Sequence, residues 1–357
     1  MEGKFAISES TNLLQRIKDF TQSVVVDLAE GRSPKISINQ FRNYCMNPEA
    51  DCLCSSDKPK GQEIFTLKKE PQTYRIVQQL LQENRHASKR DIYYMHPSAF
   101  KAQSIVDRAI GDICILFQCS RYNLNVIHLI ILLCCRLVMG WLKFREAGRK
   151  FDCLNSLNTA YPVPVLVEEV EDIVSLAEYI LVVEKETVFQ RLANDMFCKT
   201  NRCIVITGRG YPDVSTRRFL RLLMEKLHLP VHCLVDCDPY GFEILATYRF
   251  GSMQMAYDIE SLRAPDMKWL GAFPSDSEVY SVPKQCLLPL TEEDKKRTEA
   301  MLLRCYLKRE MPQWRLELET MLKRGVKFEI EALSVHSLSF LSEVYIPSKI
   351  RREVSSP

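Results

Sequence analysis

No apolar run in the 357-residue sequence is long enough to cross a bilayer. The most apolar stretch, residues 127–139, is too short and carries His128 and Arg136, so it reads as buried core. The start, Met1-Glu2-Gly3-Lys4, is polar and no apolar core follows it, so no secretory signal is expected. Internal repeats and low-complexity tracts are missing. So is a P-loop or any other ATP-binding motif. Net charge is only +3, which by itself assigns no partner. Cysteine is plentiful, at 14, yet Cys45, Cys52 and Cys54 fit no zinc spacing. Cys114, Cys203 and Cys233 lie inside apolar runs, where a free thiol acts as a small hydrophobe. The expected compartment is therefore reducing and intracellular. What is present is 46% hydrophobic residues, enough for full cores in two domains plus extensions.

Charge is unevenly spread. Residues 73–150 hold 12 Lys/Arg against 5 Asp/Glu, a net of +7, which leaves about −4 for the rest. Residues 30–62 are polar, with Pro34, Pro48 and Pro59, and read as a linker. A second junction is expected near 155–164, where Pro162 and Pro164 fall. The expected division is an extension over 1–72, a basic domain over 73–160 and an acidic domain over 161–357. A basic domain beside an acidic one fits nucleic acid held by the first and cut by the second.

The acidic domain reads as α/β. Apolar runs at 179–183, 203–207 and 231–235 alternate with helical spacing at 187–197, 215–227 and 240–248. That alternation implies a parallel sheet with right-handed crossovers. Glu184 ends the first run, and Asp236-Cys237-Asp238 ends the third. Residues two apart on an extended segment point the same way. At the C-terminal ends of parallel strands they reach the usual ligand crevice, and hard oxygen ligands there suit Mg²⁺. Strand-end acids that merely cap helices are the plainer alternative. Glu184 at the matching position of another strand favours the metal set.

In the basic domain, Ser88-Lys89-Arg90-Asp91-Ile92-Tyr93-Tyr94-Met95 opens with a box-like helix start, Ser88 as N-cap and Asp91 three residues on. Pro97 ends it. Helical patterns flank it at 73–84 and 103–117, and a β-wing is expected around 123–144. Three helices and a wing describe a winged helix with its third helix facing DNA. Lys89, Arg121 and Lys143 are the candidate DNA contacts. A tyrosine beside Lys89 and Arg90 can act as a nucleophile, since nearby cations favour phenolate. Packing is the commoner role of such a tyrosine.

Several stretches together resemble the topoisomerase VI A-subunit family, and within it the meiotic double-strand-break proteins. They are Lys89-Arg90-Asp91-Ile92-Tyr93-Tyr94, Val183-Glu184-Lys185-Glu186, Gly208-Arg209-Gly210-Tyr211-Pro212-Asp213, Asp236-Cys237-Asp238-Pro239-Tyr240-Gly241 and Glu329-Ile330-Glu331-Ala332-Leu333. The resemblance runs from about Tyr74 onward. It implies a basic winged-helix (CAP-like) domain followed by a parallel-sheet Toprim domain. It implies Tyr94 as nucleophile with Tyr93 as its packing neighbour, and Glu184, Asp236 and Asp238 as Mg²⁺ ligands with Glu186 outside that set. Arg90 would orient the phosphate or activate Tyr94, with Lys185 and Arg209 as weaker candidates. The implied chemistry is transesterification of double-stranded DNA. Implied partners are a second A-type protomer, whose metal site meets this chain's tyrosine, and a topoisomerase VI B-like subunit, to which any ATP use would belong. Nuclear residence follows from that function, and Lys295-Lys296-Arg297 and Lys349-Ile350-Arg351-Arg352 are basic clusters compatible with it.

Two other functions are compatible with the residues. One is a DNA-binding scaffold that does not cut and only pairs with active relatives. The other is a Toprim nuclease that uses water, with the tyrosine structural. The sequence also departs from the family. After the stretch 120–126, relatives take a short Gly-containing turn, whereas this chain runs Ile127-His128-Leu129-Ile130-Ile131-Leu132-Leu133-Cys134-Cys135-Arg136. The helix at 73–84 is short for the family as well.

Overall fold

The structure is a computed structural model of the chain. It describes residues 3–30, 32, 35–38, 63–66, 71–83, 85–100, 102–117, 119–121, 123–127, 136–252, 255 and 258–354. These fall mainly into two compact units, one before residue 128 and one from residue 136 onward.

The first unit is mostly helical. α1 (Gly3–Ala29) precedes an antiparallel pair, β1 (Lys35–Ile38) with β2 (Glu63–Thr66). Then come α2 (Pro71–Gln82), β3 (Ala87–Ser88), α3 (Lys89–Met95), α4 (Pro97–Phe100), α5 (Gln103–Phe117) and β4 (Val126–Ile127), which runs parallel to β3. One core joins them: Ile76 and Val77 from α2, Ile92 from α3, Phe100 from α4, and Val106, Ile110, Ile113 and Phe117 from α5. Leu13 and Ile17, four apart on α1, complete it. Residues 1–72 are thus more than an extension: α1 is a core helix, and part of the expected linker is the strand β1. The remaining linker residues and Cys45, Cys52 and Cys54 lie outside the described residues.

The second unit begins with β5 (Leu137–Gly140), β6 (Leu142–Glu146), β7 (Arg149–Asp152), β8 (Tyr161–Pro162) and β9 (Val170–Ser175). The α/β alternation follows: β10 (Tyr179–Val183), α6 (Glu186–Asn194), α7 (Phe197–Asn201), β11 (Cys203–Thr207), α8 (Val214–Leu227), β12 (Val231–Leu234), α9 (Pro239–Phe250), α10 (Ile259–Leu262) and β13 (Lys268–Gly271). The expected strands and helices are all present. The main sheet has the order β13-β12-β10-β11-β5-β8. Its first four strands are parallel, and β5 and β8 are antiparallel additions, so the sheet is mixed and not purely parallel. Every residue of β10, β11 and β12 is buried, because helices cover both faces. Alternate residues serve the two faces. Ile180 and Val182 join Phe219 of α8 and Phe242 of α9, while Leu181 and Val183 join Val188 and Phe189 of α6.

The strands also correct the expected wing. β4 pairs within the first unit, residues 128–135 lie outside the described residues, and β5 enters the main sheet beside β11. β6 lies between β7 and β9 in a separate three-stranded sheet. The junction expected at 155–164 therefore falls inside the second unit. Arg136, Lys143, Arg145, Arg149 and Lys150, five of the twelve basic residues assigned to the basic domain, belong to the second unit with it.

Candidate functional site

β10 and β12 are neighbours, in register at Val183 and Leu234. An acid follows β10 directly, and another follows β12 after one intervening residue. Glu184 leaves β10, and its amide donates to Leu234 O at 3.0 Å. The Asp236 amide returns the link, donating to Glu184 Oε2 at 2.8 Å. Asp238 is the N-cap of α9, with Oδ1 accepting the Gly241 N–H at 2.6 Å. Helix capping and membership of the acid cluster are therefore compatible in one residue. Gly241 keeps the cluster tight: a Cβ there would stand 2.5 Å from Asp236 O and 3.1 Å from Glu184 Oε2.

The cluster is electrostatically loaded. Burial, then the neighbouring Asp236 charge, pushes Glu184 up to about 8. Burial raises Asp236 to about 6, against the opposing Ile330 N–H and Lys185. Burial also raises Asp238. Among the described residues, no three acidic, His or Cys side chains enclose an ion position as they stand. Each acid is instead turned to a partner of its own. One buried and two half-buried carboxylates, all raised, are nonetheless an oxygen donor set whose charge a dication relieves, so the residues fit Mg²⁺.

Two flanking segments complete the surroundings. Glu184 O accepts the Gly210 N–H at 2.9 Å and the Thr207 hydroxyl at 3.3 Å, which seats the loop 208–213 on the first acid. Arg209 in that loop pairs with Glu186, so Glu186 faces an arginine and not the other acids. From the far end of the chain, Phe328 exchanges backbone hydrogen bonds with Cys237, and the Ile330 N–H reaches Asp236 Oδ1 at 2.9 Å. Lys185 sits between Asp236, Glu329 and Glu331. The stretch 329–333 looks family-like in sequence, but nothing in its spacing assigns it a role. Its place against Asp236 needs pairing between segments far apart in the chain, which spacing does not encode.

Tyr94 belongs to the first unit. The capping box on α3 forms as expected: Asp91 N–H donates to Ser88 Oγ at 3.1 Å, and Ser88 N–H to Asp91 Oδ2 at 2.8 Å. α3 buries Ile92 and ends at His96, immediately before Pro97. The tyrosines then separate. Tyr93 is half-buried against the core, whereas Tyr94 is 71% exposed. Their rings meet edge to face at 5.2 Å. Arg90, four residues before Tyr94, is exposed too.

The remaining candidates scatter. Lys89 pairs with Asp107 at 3.4 Å. Arg121 is only 7% exposed, so it does not present its charge as a surface contact. Lys143 lies on β6 of the second unit, 3.8 Å from Asp152. The basic clusters near the end are likewise engaged. Lys295 pairs with Glu292 and Arg297 with Glu243, and Lys349 pairs with buried Asp276 at 2.7 Å. No helix among the described residues is long and apolar enough to cross a membrane.

An acid after β10, an acid-x-acid pair after the adjacent β12, and helices on both faces define a Toprim-type domain. Residues 179–350 match the Toprim domain of the family that unites the topoisomerase 6 A-subunit with Spo11, and residues 72–126 match the family described as Type IIB DNA topoisomerase. The chain belongs to the topoisomerase 6 A-subunit/Spo11 family. It is 95% identical over 366 aligned residues to Meiotic recombination protein SPO11-1 of Arabidopsis thaliana, with 100% of each chain covered. At least nine positions of that alignment have no residue of this chain opposite them. It is 37% identical to the DNA topoisomerase 6 A-subunit of Arabidopsis thaliana (93% of this chain, 79% of that one). It is 34% identical to Meiotic recombination protein SPO11 of Homo sapiens (98% and 90%).

Proposed function

We propose that this chain is a DNA-cleaving transesterase that makes double-strand breaks to start meiotic recombination, acting in the nucleus. The observation that carries the reading is Tyr94, exposed on a capped helix whose other tyrosine packs, in the same chain as the Glu184, Asp236 and Asp238 cluster. The first unit would bind double-stranded DNA through its helices. Tyr94 Oη attacks a DNA phosphorus and the 3′ oxygen leaves. A 5′-phosphotyrosyl bond forms, and the hydroxyl proton ends on solvent or the leaving oxygen, giving a free 3′-OH. No water is consumed. Arg90 is one helical turn from Tyr94 and on the same face, where a guanidinium orients a phosphate. Glu184, Asp236 and Asp238 would hold Mg²⁺, which when bound neutralises charge on the phosphoryl and leaving oxygens. Cutting two strands takes two tyrosines, so a second A-type protomer is needed. The further partner is a topoisomerase VI B-like subunit.

The test is recovery of the protein from cells under denaturing conditions, followed by assay for covalently attached DNA. DNA retained by the natural chain and lost in Tyr94→Phe supports the reading. Breaks made without any adduct sink it in favour of hydrolysis. A second reading, an inactive form that pairs with active relatives, is favoured by the unmatched alignment positions and the departure at 127–136. An adduct formed by this chain itself removes it.

A further inference from the structure

Lys185 Nζ lies 3.0 Å from Asp236 Oδ2, 2.9 Å from Glu329 Oε2 and 3.0 Å from Glu331 Oε2. An ammonium has three donor hydrogens, and here three carboxylates take them. The other ends are fixed as well. Asp236 Oδ1 accepts the Ile330 N–H at 2.9 Å, and Glu331 Oε1 accepts the Thr187 hydroxyl at 2.7 Å. Glu331 is held below the usual carboxylate range: burial opposes this, and the bonds from Thr187 and Lys185 overcome it.

We propose that Lys185 is a positioning residue that serves as a resident cation of the acid cluster. It holds Asp236 in place, ties that acid to residues 329–331, and occupies the position a second divalent ion would otherwise fill. This rests on the reading of Glu184, Asp236 and Asp238 as a Mg²⁺ site. Without the ammonium, Asp236, Glu329 and Glu331 repel one another, and a dication is the natural replacement. Arginine keeps the charge, while methionine keeps much of the stem and removes it.

The experiment is thermal unfolding of the full chain, Lys185→Arg and Lys185→Met, each with and without MgCl2. In the absence of Mg²⁺, Lys185→Met melts below the natural chain and Lys185→Arg stays close to it. Saturating Mg²⁺ closes the Lys185→Met deficit by about half or more, because binding to the folded state replaces the lost charge. A salt bridge with only a structural role leaves the deficit the same in both conditions; that result, or no deficit at all, overturns the proposal. If Lys185→Met does not fold, adding Glu329→Gln and Glu331→Gln removes two of the three uncompensated charges and restores folding; failure to do so also overturns it. A response to Mg²⁺ in Lys185→Met alone sinks the metal reading of the natural chain and leaves the role of Lys185 standing. No response in either sinks both.

Discussion

Tyr93 and Tyr94 are adjacent in sequence, yet packing fixes one ring and leaves the other in solvent. Tyr94→Phe removes one exposed hydroxyl and should change stability by no more than about 0.5 kcal/mol. DNA binding should survive while break formation is lost. Tyr93→Phe should keep substantial activity; the opposite pattern in a break assay reassigns the nucleophile. The acids lead to a second expectation. Glu184 is raised to about 8 in the folded chain by burial and by Asp236, so folding favours its protonated form. Its contribution to metal-free stability is present below the unfolded carboxylate range and is lost as pH rises through about 8. A cation competes with that proton. The Mg²⁺-induced rise in melting temperature should therefore grow from about pH 6 to about pH 9, and Glu184→Gln should flatten the growth. A rise independent of pH in the natural chain would show that Mg²⁺ acts elsewhere. Glu184, Asp236, Asp238 and Tyr94 were legible because each follows a strong local signal, an apolar run or a capping box. Lys185 as a hub was not, because Glu329 and Glu331 reach it only through the tertiary fold.

Among the elements, α3 shows sequence grammar and structure coinciding, from Ser88 and Asp91 to Pro97. The strands β10 to β12 were equally readable, since burial on both faces demands unbroken apolar runs. Element type was clear there, but the wing was not. β5 has the apolar, β-favouring composition that suits either a wing or a strand of the main sheet, and only its pairing with β11 and β8 decides. α1 was missed for the opposite reason. Its buried stripe is narrow, Leu13 and Ile17 amid polar neighbours, and so resembles a solvated extension. Ile17 is 2% exposed, and Ile17→Ala should destabilise the first unit by about 2–4 kcal/mol. Urea unfolding would read this as a lower midpoint at unchanged slope. A loss below about 0.5 kcal/mol would mean α1 is an accessory and not a core helix.

Across the whole molecule, the proposed reaction would draw on both units, Tyr94 from the first and the acid cluster from the second, and residues 128–135 connect the two in sequence. Residues 128–135 lie outside the described residues, but their composition carries its own argument. Leu129-Ile130-Ile131-Leu132-Leu133-Cys134-Cys135 is apolar, β-favouring and uncharged, the combination that self-associates when exposed. β4 ends at Ile127 on one side, and β5 starts at Leu137 on the other, each already paired within its own unit. A short Gly-containing turn in place of the run would add no apolar surface. Such a turn in place of 127–136 should raise soluble yield and strengthen DNA binding, at unchanged Tyr94 and acid residues. Soluble fraction after expression and affinity for a DNA duplex at fixed salt are the measurements, since phosphate contacts make the affinity salt-dependent. Equal yield, melting temperature and affinity for the two chains would mean that the run packs as extra core, and the prediction fails.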